Sequence, residues 1–410
     1  MTAPPDPGDA GSRERAVREA IAHAGVGESE LYADLASIDA IGDVSVRDAV
    51  ASITVTLPAP SDRIRETILA EIDAATTTVP GVETVAVEFQ PRAVDSGKHV
   101  DMLPEVKNVV AVASGKGGVG KSTVASNLAA ALADAGADVG LLDADVYGPN
   151  APAMLGLDDR SANATGADEM VPREAHGVRV MSMAFVADDD DPVIWRGPLV
   201  DEFVKQLAGD VRWGPLDYLV VDLPPGTGDV HLSLVQHFPV AGTVIVTTPQ
   251  AVAVDDAARG VLGFARYGAP VLGIVENMAG FECPDCGGTH DIFGSGGASE
   301  LVEEFGIPIL GRVPLDPAVG TLDSDEDREQ PPGIDVPLVG RLQLPRTAAE
   351  RTRPNALPPL ACRENGGPPK AALREMATRV AARLNEAATH TDDATFHEVD
   401  TANPEANVED

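Results

Sequence analysis

The sequence predicts an α/β fold with a mostly parallel sheet covered by helices on both faces, preceded by a small α+β domain. Three observations predict it. From Val106 onward short apolar runs alternate with amphipathic stretches, the pattern of parallel strands buried on both sides between helices. The first of these runs leads into a glycine-rich loop, Gly115 to Gly120, and then into an alanine-rich segment. Residues before Pro91 mix helical and alternating patterns without that rhythm, as an α+β unit does.

In the N-terminal part, Ala16 to His23 and Ser29 to Ile38 have helical periodicity, and Asp43 to Val46 and Ala51 to Leu57 read as strands. Asp62 to Ala75 is helical again, and Val82 to Phe89 returns to strand. This places a small domain at 12–91, after a Pro-, Gly- and charge-rich stretch at 1–11 expected to be disordered. The polar run at 92–104 has no periodicity and reads as a linker. The main domain, 105–388, is expected to carry strands at Val109 to Ala113, Val139 to Leu142, Val178 to Met183, Tyr218 to Val221, Thr243 to Thr247, Val271 to Val275 and Pro308 to Val313. An acid-, Pro- and Arg-rich interruption at 323–355 reads as a surface insertion. A last helix is expected from Pro369 to Ala387, and the acidic tail 389–410 as disordered.

Composition narrows the function. The formal charge is -35, with lysine only at Lys98, Lys107, Lys116, Lys121, Lys205 and Lys370. Such a field repels nucleic acid and anionic lipid, so neither is an expected partner; it reads as an adaptation to high intracellular salt, which screens it. No apolar run is long enough to span a bilayer and the first residues are not an apolar signal segment, so the expected location is cytoplasmic. Three cysteines, two of them close together, suit a reducing compartment in which thiols serve metals or redox chemistry.

Gly115-Lys116-Gly117-Gly118-Val119-Gly120-Lys121-Ser122-Thr123 lies between an apolar strand and a helix, the context that a phosphate loop requires. Its glycines let backbone amides face phosphate oxygens, and the helix dipole adds positive potential. Lys121 is placed for the terminal phosphates, Ser122 for magnesium and Thr123 for the α-phosphate. The fold class is therefore a P-loop NTPase, with ATP and Mg2+ as expected ligands. Asp222 ends the apolar run Val220-Val221, where a carboxylate sits beside the loop and can hold Mg2+. Leu223 to Asp229 forms a turn suited to sensing the γ-phosphate. Asp143 and Asp145 follow another strand, and Asp145 is the better candidate to position the attacking water. For each of these acids an ordinary helix cap is the competing role.

Cys283 and Cys286, in Asn277-Met278-Ala279-Gly280-Phe281-Glu282-Cys283-Pro284-Asp285-Cys286-Gly287-Gly288, are spaced to bind one metal atom or a cluster edge. A structural zinc knuckle and a redox dithiol are the alternatives. His290 reads as an exposed loop histidine rather than a ligand. Cys362 lies outside the motif and reads as a buried thiol. Fe-S clusters are commonly held by four thiolates, so one chain with two clustered thiols points to a homodimer.

The second lysine of the loop, Lys116, makes it resemble the deviant phosphate loop of the partition, division-site, arsenical-pump and nitrogenase-iron-protein superfamily. The resemblance implies that Lys116 reaches the partner subunit's nucleotide. Asp143-x-Asp145-x-x-Gly148-Pro149-Asn150, Asp222-x-Pro224-Pro225-Gly226-Thr227-Gly228-Asp229, Ile292-Phe293-Gly294 and the cysteine pair closely resemble the Mrp-type iron-sulfur carrier ATPases, from about Leu103 to Asp316 and again from Gly366 to Leu384. That resemblance implies a homodimer joined through its nucleotide and thiol face, with a 4Fe-4S cluster bridged by Cys283 and Cys286 of both subunits. It also implies that Asn277 reads the adenine ring and that apo iron-sulfur proteins receive the cluster. The N-terminal unit is similar to the small assembly-associated domain that precedes such ATPases. It departs from that pattern, with Val26-Gly27-Glu28 and Ser61-Asp62 where an Asp-Pro-Glu and a cysteine are usual, which leaves it docking or structure rather than thiol chemistry. A positioning ATPase acting on a macromolecular surface, with zinc at the cysteines, is the rival reading; the acidic tail gives it no basic surface to work with.

Overall fold

In the computed structural model the described residues are 10–26, 40–57, 62–91, 103–145, 148–157, 170–185, 204, 209–226, 238–283, 286–316, 333–336, 340–343, 359–363 and 367–389. The expected helix Ser29 to Ile38, almost all of the linker and the tail lie outside them, as does most of the 323–355 stretch.

The N-terminal unit has its own three-stranded sheet. Helix α1 (Ala10–Ala24) precedes the hairpin β1 (Ile41–Arg47) and β2 (Val50–Leu57), and helix α2 (Asp62–Thr76) carries the chain to β3 (Thr84–Pro91). The sheet order is β1-β2-β3, antiparallel then parallel. Asp48 and Ala49 at the hairpin turn both have positive φ, 49° and 63°, as a two-residue turn needs to match strand twist. Val17, Ile21, Ile53, Ile68 and Ile72 fill its core.

The larger unit is built on a nine-stranded sheet. It contains β4 (Val106–Ala113), α3 (Lys121–Asp134), β5 (Val139–Asp143), α4 (Ala151–Met154), β6 (Arg173–Ala175), β7 (Val178–Ser182), β8 (Leu216–Asp222) and β9 (Val240–Thr247). It continues with α5 (Ala251–Arg266), β10 (Val271–Glu282), β11 (Thr289–His290), α6 (Gly297–Phe305) and β12 (Ile309–Leu315), and closes with α7 (Gly367–Thr389). The strand order is β11-β10-β9-β4-β8-β5-β7-β6, with β12 also paired to β10. Every pairing in it is parallel except those of the short edge strands β6 and β11. All residues of β5, β8 and β9 are buried; since neighbours along a strand point to opposite faces, both faces of the sheet are covered. Residues 333–336 and 340–343 form an antiparallel pair apart from this sheet.

The register decides what meets at the carboxyl edge. Val112 of β4 lies beside Asp222 of β8, and Asp222 lies beside Asp143 of β5. The phosphate loop leaves β4 just beyond this row. The chief departure from expectation is β10, which runs to Glu282 instead of stopping at Val275 because β9, β12 and β11 pair with successive parts of it. The edge strands β6 and β11 have three and two residues, too few to leave a period in the sequence.

Leu141, fully buried in β5, is expected to cost about 3 kcal/mol on replacement by alanine, the range of core truncations. The check is the urea midpoint of Leu141→Ala against wild type; an unmoved midpoint contradicts the packing described.

Candidate functional site

The loop between β4 and α3 owes its shape to absent side chains. Gly118 and Gly120 have φ of 82° and 85°, values costly for residues with a Cβ. Gly115 is fixed by space: a Cβ there would lie 2.3 Å from the Asp256 backbone of α5. A Cβ on Gly120 would lie 2.1 Å from Asn277 Nδ2. Helix α3 begins at Lys121 with no acidic residue in its first turn, so its unpaired amides and dipole favour an anion. Ser122 and Thr123 occupy the same turn, half-exposed, while Gly117 and Gly118 are exposed and Val119 is buried.

Lys121 is buried beside two carboxylates. Its Nζ lies 2.6 Å from Asp222 Oδ1 and 3.8 Å from Asp145 Oδ2. Asp143, the neighbour of Asp222 in the next strand, is used otherwise: its oxygens accept from the backbone amides of Asp145 (3.2 Å) and Ala151 (3.1 Å) and from Ser182 Oγ (3.1 Å). The Ala151 bond ties Asp143 to the first residue of α4, whose N-cap is Asn150. Asp145 accepts from the Gly148 amide at 3.2 Å and is the acid of the pair that faces Lys121. Burial pushes Asp222 upward, opposed by the Lys121 ammonium. Burial, then the charge of Asp222, pushes Asp143 up to about 8.

Asp222 Oδ2 is buried with no hydrogen-bond partner among the described residues. An orphaned carboxylate oxygen beside Ser122 suits a hard cation that takes oxygen ligands, so these residues fit Mg2+. Lys116, half-exposed, has no carboxylate paired with it among the described residues. Thr227 to Asp229 of the expected sensor turn lie outside the described residues.

The thiols sit at the same edge of the sheet. Cys283 follows β10 directly, and Cys286 is exposed in the turn toward β11. The Cys283 amide donates to the Gly288 carbonyl at 2.9 Å and its carbonyl accepts from the Gly287 amide at 2.8 Å, closing a tight hairpin. No disulfide involves either, and among the described residues no group of three His, Cys, Asp or Glu is placed to hold a metal ion. His290 is exposed on β11. Cys362 lies apart; its Sγ faces the Ala130 carbonyl at 3.5 Å and burial pushes its thiol up. Asn277, expected beyond the strand, lies inside β10, and its Nδ2 donates to the Val119 carbonyl at 2.9 Å.

Two residues that carry the site escaped the sequence reading. Glu276 is buried, accepting from the Ala298 amide in the first turn of α6 (2.9 Å) and from Arg312 Nε (3.0 Å); an acid directly after the apolar run Val271–Val275 was the signal. Asp256 packs on Gly115 and nothing in the sequence around it marks that contact.

A family profile described as ParA, the NUBPL iron-transfer P-loop NTPases, matches residues 105–332. The chain belongs to this family. A protein from Synechocystis sp. named iron-sulfur cluster carrier protein is 47% identical over 297 residues, 71% of this chain and 84% of that one. One of the same name from Deinococcus radiodurans is 49% identical over 291 residues, 71% and 82% of the two chains. A solved nucleotide-binding protein from Archaeoglobus fulgidus, in complex with ADP, is 38% identical, with a TM-score of 0.47 over 55% of this chain and 89% of that one.

In this member of the family the acids at the loop have a stability consequence. Folded, Asp143 keeps its proton up to about 8, against 3.8 when unperturbed. The fold therefore binds more protons than the unfolded chain between those values, and this group costs stability progressively as the pH rises through them. Asp143→Asn mimics the protonated acid. It is expected to stay within about 1 kcal/mol of wild type near neutral pH and to flatten the decline in thermal midpoint from pH 5 to about 8; an undiminished decline contradicts the buried proton.

Proposed function

We propose that the protein is an ATP-dependent iron-sulfur cluster carrier that works as a homodimer, holding one 4Fe-4S cluster between two subunits and passing it to apo iron-sulfur proteins in the cytoplasm. The observation that carries the reading is the hairpin with Cys283 and the exposed Cys286, a half set of thiolates at the sheet edge that also carries the phosphate loop. Clusters of this kind take four thiolates, and a two-fold axis supplies the second pair. The relatives named as iron-sulfur cluster carriers support it.

ATP lies with its phosphates on the amides of Gly115 to Gly120 and Thr123, and Lys121 moves from Asp222 toward them. Lys116 meets the phosphates across the dimer. Asp145 orients the attacking water, and Ser122 and Asp222 hold Mg2+, which neutralises phosphate charge when bound. Asn277 lines the nucleotide site. Hydrolysis alters the grip of the cysteines on the cluster. The 12–91 domain serves docking or structure, and the acidic composition suits a salt-rich interior.

The test is anaerobic reconstitution with iron and sulfide, read by visible absorbance and metal content. Wild type is expected to take up about four irons per dimer, and the Cys283→Ala, Cys286→Ala double variant none, while both bind ATP. Bound zinc without a cluster in wild type, or an intact cluster in the variant, overturns the reading. In steady-state ATPase assays Lys116→Ala is expected to lower turnover by about a hundredfold or more while retaining nucleotide binding, the scale of losing one phosphate-stabilising cation; unchanged turnover removes its role across the dimer.

A further inference from the structure

Strand β10 touches both sites within one short run. Its first part lies between β9 and β12 and ends at Asn277, whose buried carboxamide binds the Val119 carbonyl at 2.9 Å. The fit is tight, because a Cβ on Gly120 would sit 2.1 Å from the same nitrogen. A displacement of the loop at Val119 and Gly120 cannot leave this carboxamide in place, since packed interiors pass such shifts on. Glu276 fixes the strand just before it through Ala298 and Arg312.

Beyond Asn277 the strand loses its regularity. Met278 has φ 58° and Gly280 φ 82°, left-handed conformations that interrupt a ladder. The pairing with β12 slips here, from Asn277 beside Val313 to Phe281 beside Leu315. After the slip, Phe281 and Glu282 pair with His290 and Thr289, and the thiol hairpin begins. The strand therefore has an anchored part, a bulge and a terminal part, with the phosphate loop attached at the end of the first and the cysteines at the end of the last.

We propose that Asn277 is the positioning residue that couples the two sites: its bond to Val119 passes loop movement on nucleotide binding to the bulge Met278 to Gly280, which re-aims the hairpin carrying Cys283 and Cys286. The meaning of the movement rests on the carrier reading, but its detection does not. The Asn277 side chain joins the loop carbonyl, through its hydrogen bond, to the strand it belongs to, so its loss separates the sites without removing a ligand of either the phosphates or the metal.

The experiment is iodoacetamide labelling of the metal-free protein with and without a saturating non-hydrolysable ATP analogue and Mg2+. Rates at each cysteine are read by mass spectrometry, with Cys362 as the internal reference. In wild type the analogue is expected to change the labelling of Cys283 or Cys286 by about threefold or more, since thiol reactivity follows exposure and local charge. In Asn277→Ala, at analogue concentrations shown to saturate it, that change is lost. No nucleotide effect in wild type, an equal effect at Cys362, or the full effect in Asn277→Ala overturns the proposal. If the variant cannot be saturated, Met278→Gly, which keeps the carboxamide and loosens the bulge, carries the test: a response reduced to less than half supports the coupling and a full response overturns it. Failure to reconstitute a cluster sinks the carrier reading and leaves this labelling result standing.

Discussion

Burying a lysine inside the rim of a sheet costs several kcal/mol in lost hydration unless acids are fixed around it. Lys121 meets that condition only because the register of β4, β8 and β5 brings Asp222 to 2.6 Å and Asp145 to 3.8 Å. The arrangement is poised, with one ammonium shared between acids and one oxygen of Asp222 left without a hydrogen-bond partner among the described residues. A phosphate chain with a magnesium ion would supply what is missing, an anion for the lysine and a cation for the carboxylate. The same register sets the thiols, since β10 runs parallel to β9 and β9 to β4, so that the loop and the cysteine hairpin leave the sheet at one edge.

The phosphate loop was legible because each of its residues answers to a phosphate rather than to packing, and glycine and lysine have few other reasons to stand in that order. Asp222 was legible for a related reason, a charge at the end of an apolar run. The strands were legible as apolar runs, though their ends were not, because strand length is set by neighbours. Val106 to Asn108 of β4 and Asn277 to Glu282 of β10 are held by pairing that no local pattern announces. Between Asp143 and Asp145 the sequence favoured the second. In the structure Asp143 accepts from Asp145, Ala151 and Ser182, and Asp145 lies 3.8 Å from the lysine.

What sequence reading missed lies in contacts between distant segments. Gly115 reads as part of a loop motif, yet it also makes room for the backbone of α5. Asn277 reads as a base-recognising side chain by resemblance, yet its amide nitrogen is bonded to the loop itself. Glu276 pins β10 to α6 and β12 just where the strand turns irregular. In the coupling proposed above, these residues would make the nucleotide loop and the thiol hairpin parts of one mechanical unit, the arrangement a nucleotide-controlled carrier requires.

In the proposed carrier, nucleotide state governs the hold on the cluster. The direct measurement is the rate at which reconstituted protein releases iron to an excess of chelator, with and without MgATP under anaerobic conditions. The account predicts that MgATP changes this rate by about fivefold or more, the lower end of coupling energies of about 1–3 kcal/mol between linked sites. Equal rates at saturating nucleotide would contradict it.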